Sequence, residues 1–194
     1  MRWILTCIAL AAALPSTAYA HPALGSPGSF AAGVAHPLLG LDHLAAILGV
    51  GLWAALKGHR AVWVWPATFV GNMSMGGALG MAHMTLPLVD PGILASVIVM
   101  GLLVVFAVDL PIVAGAAIIA VFALLHGHAH GSEVPETASG VMYVVGLALA
   151  TVSLHGVGIV FALSARRVLS SFPVRLAGGG CFVVGLGLSC GLLA

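Results

Sequence analysis

Six apolar stretches dominate this chain, near residues 31–56, 61–84, 92–109, 111–130, 138–165 and 174–194. Each is 18–28 residues long. An α-helix needs about 20 apolar residues to cross a bilayer, and a transmembrane β-strand only about 10 alternating ones. The lengths predict helices. The connections carry the polar and turn-forming groups: Lys57-Gly58-His59-Arg60, residues 86–92, Asp109-Leu110-Pro111, residues 131–139 and residues 166–173. Charged residues make up 6% of the chain, against about 25% in a soluble domain. So few charges cannot coat a water-exposed surface. A formal net charge of +1 with no basic run offers no field to nucleic acid. The expected fold is an all-α integral membrane protein whose solvent partner is the lipid bilayer.

Residues 1–20 read as a cleaved signal peptide. Arg2 supplies the positive start, residues 3–14 are apolar, and Ala18-Tyr19-Ala20 has the A-x-A form of a cleavage site. Residues 21–194 then form a single six-span domain. Lys57 and Arg60 fall between spans one and two, and Arg166, Arg167 and Arg175 flank the link between spans five and six. With six spans all five share one side, which the positive-inside rule makes the cytoplasm. The mature N-terminus is expected on the outer face of a bacterial-type inner membrane. Gly76/Gly80 and Gly187/Gly191 have GxxxG spacing, which serves close packing in the bundle or, alternatively, a homo-oligomer contact. Cys181 and Cys190, nine residues apart on one helix, read as small core residues too distant for a disulfide.

Nine histidines stand out against this background. An ionised Asp at the centre of a span costs about 2.5–3.5 kcal/mol on insertion scales, so polar groups there need a reason. Span one carries His36-Pro37-Leu38-Leu39-Gly40-Leu41-Asp42-His43. His36 and His43 share a helix face but lie about 10 Å apart along an unbroken helix, so they reach one ion only if it bends; Pro37 supplies a reason. Span four ends in His126-Gly127-His128-Ala129-His130-Gly131-Ser132-Glu133, with His126 and His130 one turn apart. The topology puts both groups in the outer half of the membrane. Imidazoles with carboxylates form the ligand set of Ni²⁺, Co²⁺, Zn²⁺ or Cu²⁺, and Asp42 with Glu133 balances a divalent charge. His83, near the outer end of span two, and His21, whose α-amine would join its imidazole after cleavage, are further candidates. His155 reads as a helix–helix hydrogen-bond donor.

These motifs resemble those of the HupE/UreJ family of nickel and cobalt permeases. His36-x5-Asp42-His43 followed by Trp53-Ala54 is similar to its first motif. Leu125-His126-Gly127-His128-Ala129-His130-Gly131-Ser132-Glu133 is similar to its second, with Leu125 where the family usually has Phe. The resemblance implies six spans behind a signal peptide and secondary uptake of Ni²⁺, or Co²⁺, for enzymes such as hydrogenase or urease. It implies a metal path through His36, Asp42, His43, His126, His130 and Glu133; His128 occupies a variable position. The metal is cargo, and no permanently bound cofactor is expected. Without a phosphate-binding loop, ATP is not expected as a partner.

Two other classes compete. A membrane haem protein would use paired histidines as axial ligands, leaving Asp42 and Glu133 without a role. An intramembrane hydrolase would need Ser74 as nucleophile, but the G-x-S-x-G elbow is absent around it.

Overall fold

The computed structural model describes residues 29–134 and 140–193. The expected signal peptide and His21 lie outside these residues. Among the described residues there are seven α-helices and no strand: α1 Phe30–Leu39, α2 Leu41–Lys57, α3 Ala61–Met81, α4 Val89–Val105, α5 Ile112–Ser132, α6 Gly140–Val168 and α7 Phe172–Ser189. Three of them, α5, α6 and α7, are long and apolar enough to cross a membrane, and α1 with α2 makes a fourth candidate if taken as one broken span.

The first apolar stretch is not one continuous helix. α1 and α2 meet at 83°. Pro37 is not the break; it lies inside α1, and the chain turns three residues later at Gly40, which is extended at φ −85°, ψ 114°. The Gly40 N–H closes α1 on the His36 carbonyl (3.2 Å), and the Gly40 carbonyl accepts the Leu44 N–H to open α2 (2.9 Å). A Cβ at position 40 would sit 2.9 Å from both Asp42 Oδ1 and His43 Nδ1. Glycine is what lets the turn approach these two side chains. The third stretch is displaced toward the N-terminus: α4 runs from Val89 to Val105, and the chain leaves it through Ala107 at φ 47°.

α2 is the axis of the molecule. It packs against α1, α3, α4, α6 and α7, and its residues from Ala45 to Ala55, apart from Leu48, are buried. A helix that is apolar all round is buried all round. Small residues make this possible: Gly51 lies against the backbone of His155 and Gly158 on α6, and Gly49 against Met100 on α4. The α3–α5 pair is a second close seam. Gly76 and Gly80 face the backbone of Leu124 and His128, while Gly127 and Gly131 face that of Met73 and Gly77. The Gly76/Gly80 pair is thus used within the chain. This seam fixes the face of α5 that carries the histidines.

The outer surface is apolar. Val113, Val121, Val152, Val160, Leu176 and Val183 are all exposed. Rows of bare aliphatic side chains on long helices are what a bilayer, not water, solvates. Cys181 and Cys190 are both free thiols, but only Cys181 is buried; Cys190 is exposed, not a core residue.

The polar groups collect at opposite ends. One end holds the histidines of α1, α2 and α5. At the other, Lys57 pairs with Asp109, Arg166 donates to the carbonyls of Ala55 (2.7 Å) and Leu56 (3.4 Å), and Arg175 donates to the Val105 carbonyl (2.5 Å). Cations on the last carbonyls of α2 and α4 complement the negative ends of those helices.

Candidate metal site

The 83° break decides the site. It carries His36, at the end of α1, to within 5.4 Å of His43, in the first turn of α2, between ring centroids. An unbroken helix would hold them about 10 Å apart along its axis. From α5, His130 brings its ring 4.5 Å from His36 and 4.4 Å from His43. One nitrogen from each of His36, His43 and His130 lies within 4.8 Å of the other two. Two nitrogens on one ion are at most about 4.2 Å apart for bonds of about 2.1 Å. Three nitrogens around one ion must draw closer still, to about 3.4–3.6 Å, a contraction of roughly an ångström that side-chain rotation can supply.

Hydrogen bonding fixes which nitrogen is free. The His43 Nδ1–H donates to Asp42 Oδ1 (2.6 Å), which also accepts the His43 backbone N–H (2.8 Å). The lone pair then resides on His43 Nε2, which is buried and has no hydrogen-bond partner. A carboxylate that orients an imidazole in this way is the usual support of a histidine ligand. Asp42 thus acts on the site through His43. His126 is set up similarly. Ser96 gives its hydroxyl proton to the Ile93 carbonyl (2.6 Å), so its oxygen accepts the His126 Nε2–H (2.8 Å). His126 Nδ1, again buried and unpartnered, carries the lone pair. The His126 ring is 5.0 Å from that of His43. His130 Nδ1 is a third buried, unpartnered nitrogen.

Unpaired buried polar atoms are rare, because each costs about 1–3 kcal/mol. Three of them lie on the neighbouring imidazoles of His43, His126 and His130, each with a lone pair that a cation could take. Glu133 stands just beyond the end of α5, with Oε2 3.9 Å from His36 Nε2. Burial pushes its carboxyl up from the ordinary range.

The other sequence candidates fall elsewhere. His128 turns away from the cluster and donates Nε2–H to the Met84 carbonyl (2.6 Å), tying α5 to the loop after α3. His83 is exposed in that loop, at φ 54°. His155 makes no helix–helix hydrogen bond; it is buried with both ring nitrogens unpartnered and packs edge-on to Phe69 at 5.2 Å. Sequence reasoning missed Ser96 and Tyr143, whose ring is 6.0 Å from that of His36. A lone hydroxyl in an apolar span was the available signal for Ser96. Tyr143 had none.

A bundle of apolar helices with converging, unpaired imidazoles defines a helical membrane protein with a cluster that could hold a metal ion. The comparisons define it further. A sequence model described as "HupE / UreJ protein" matches residues 8–188. Protein HupE of Rhizobium leguminosarum bv. viciae is 41% identical over 187 residues, covering 96% of this chain and 97% of that protein. The chain belongs to the HupE/UreJ family. No solved structure gives a significant match.

Proposed function

We propose that the protein is a permease, not an enzyme, which takes up Ni²⁺ or Co²⁺ from the outer side of the inner membrane and supplies nickel enzymes such as hydrogenase or urease. The observation that carries this reading is the convergence of His36, His43 and His130 from three helices, with one ring nitrogen of each inside 4.8 Å of the others. Neutral imidazole suits borderline divalent ions of this kind. No thiol belongs to the cluster.

In this reading all six apolar segments span the bilayer, α1 and α2 as one broken span, with the histidine end outside and the basic end in the cytoplasm. Glu133 attracts the hydrated ion, His36, His43 and His130 strip its water, and Asp42 holds His43 in the binding tautomer. His126 receives the ion next. An inside-negative potential of 100 mV favours entry of a divalent charge by about 4.6 kcal/mol, at about 2.3 kcal/mol per charge. Binding at each step must stay moderate for the ion to leave.

The test is uptake of ⁶³Ni by cells expressing the chain, with unlabelled Co²⁺, Zn²⁺ and Cu²⁺ as competitors. The reading expects uptake above that of cells lacking the chain, with Co²⁺ competing best. No excess uptake of any of these ions would refute it.

A further inference from the structure

Below the outer cluster the structure holds another imidazole for which the site above has no use. His155 on α6 is 1% exposed, and neither ring nitrogen has a hydrogen-bond partner. It lies level with Gly51 of α2, whose α-carbon faces the His155 backbone. Gly51 is eight residues beyond His43, or about 12 Å of helix deeper into the bundle.

His155 is linked to the outer cluster ring by ring. The His43 and His126 rings are 5.0 Å apart, His126 and Phe69 6.0 Å, and Phe69 and His155 5.2 Å. One turn before His155 on α6 stands Thr151, fully buried, whose hydroxyl is 3.8 Å from the Met73 sulfur. Met73 is one turn beyond Phe69 on α3. The two helices run antiparallel, so Thr151 and Met73 form one layer and His155 and Phe69 the next. Toward the basic end, Trp53 and Trp65 stack at 4.1 Å. Their indole N–H groups are anchored to the Val108 and Ile112 carbonyls.

We propose that His155, with the Thr151 hydroxyl and the Met73 thioether one layer to its outer side, forms a second and deeper station for a divalent transition-metal ion, the Phe69 ring lying between the rings of His155 and His126. The inference rests on the permease reading for its place on a path, but the station itself is a matter of binding. The imidazole is the donor that suits Ni²⁺ or Cu²⁺, and the thioether is a softer partner that adds little to the hold on a borderline divalent ion. A thioether and a neutral hydroxyl bring no charge, so an ion here is held less firmly than at a site with a carboxylate nearby. A station from which the ion must move on requires that weakness. An imidazole whose two nitrogens are buried and unpaired is otherwise a cost without a return.

The experiment titrates purified full-length protein with Co²⁺ and follows its visible absorption. The wild-type chain is expected to bind two ions in two steps. His155→Leu is expected to bind one, with the spectrum of the tighter step intact. His43→Ala is expected to lose the tighter step and keep the weaker. In cells, His155→Leu should lower ⁶³Ni uptake by about ten-fold or more at an equal membrane level. One ion per wild-type chain, or two ions in His155→Leu with an unaltered spectrum, overturns the proposal. So does lost uptake with both ions still bound, which would leave His155 a packing residue. Should His155→Leu fail to reach the membrane, Thr151→Val and Met73→Leu put the same question with nearly unchanged volume. Each should weaken the second step alone, and an unaltered second step in both overturns the station. If wild-type cells take up no metal, the permease reading fails, while the two-step titration still decides the station.

Discussion

The two ends of the bundle treat their polar groups in opposite ways. At the basic end, Lys57 has Asp109, and Arg166 and Arg175 sit on the last carbonyls of α2 and α4. At the histidine end, His43, His126 and His130 each keep a buried nitrogen with no partner. α2 runs through both ends, with Lys57 at one and His43 at the other, yet only the basic end has its polar groups paired. Satisfied groups hold a structure together, and unsatisfied ones wait for something to bind. On this view the basic end is a clamp and the histidine end is a receptor.

The sharpest way to break the comparison is to remove one receptor nitrogen. His130→Ala takes away one of three converging imidazoles and leaves its neighbours' hydrogen bonds untouched. Uptake of ⁶³Ni should drop to that of cells lacking the chain, while the protein still reaches the membrane. Uptake above half of wild type would show that the cluster is not a receptor. Asp42→Asn is expected to be milder. It keeps the side-chain shape but releases the tautomer of His43, and loss of such an orienting group costs about 10–100-fold in metal affinity. Equilibrium binding of Co²⁺ to purified protein measures it, and unchanged affinity would remove Asp42 from the site.

Acidity should separate the ends as well. An imidazole that takes up a proton loses the lone pair that binds metal, and Glu133, with its carboxyl pushed up by burial, takes its proton in milder acid than an ordinary carboxylate. Both changes weaken attraction as pH falls. Uptake should therefore decline as the external medium turns acid, beginning where Glu133, raised by burial, takes up its proton. Arginine stays protonated throughout, so the clamp should not respond. A rate flat from neutral to acid medium would contradict the role of neutral imidazole.

How much of this was legible in the sequence follows the same division. The basic end was legible: five cations in two connections, read with the positive-inside rule, gave one side, and the structure gathers Lys57, Arg166 and Arg175 at one end. The clustering of the histidines was legible too, since His126 and His130 are one turn apart. Their convergence with His36 was not. It depends on a turn at Gly40, and the sequence drew attention to Pro37 instead, because proline removes a hydrogen bond wherever it stands while glycine breaks a helix only where neighbours require it. The role of Asp42 was also hidden. Adjacent residues point to different faces of a regular helix, yet in the first turn of α2 its carboxylate folds back on His43. His155 looked like an ordinary hydrogen-bond donor because a sequence cannot show that no acceptor lies within reach.

The smallest effect is expected at the clamp, and it sharpens the comparison from the other side. Lys57→Met removes the ion pair with Asp109, whose side chain is 78% exposed. Pairs so open to solvent contribute about 0–1 kcal/mol, and the methionine stem keeps the apolar contacts of the lysine chain. Thermal unfolding of the purified protein should shift by no more than a few degrees. Metal binding at the histidine end, a helix length away, should not change, because no polar group there loses a partner. Uptake within about twofold of wild type is the expected outcome for a group that only holds helices in place. A collapse of uptake with unchanged binding would mean that the Lys57–Asp109 pair must open for the ion to leave, and the basic end would then be a gate, not a clamp.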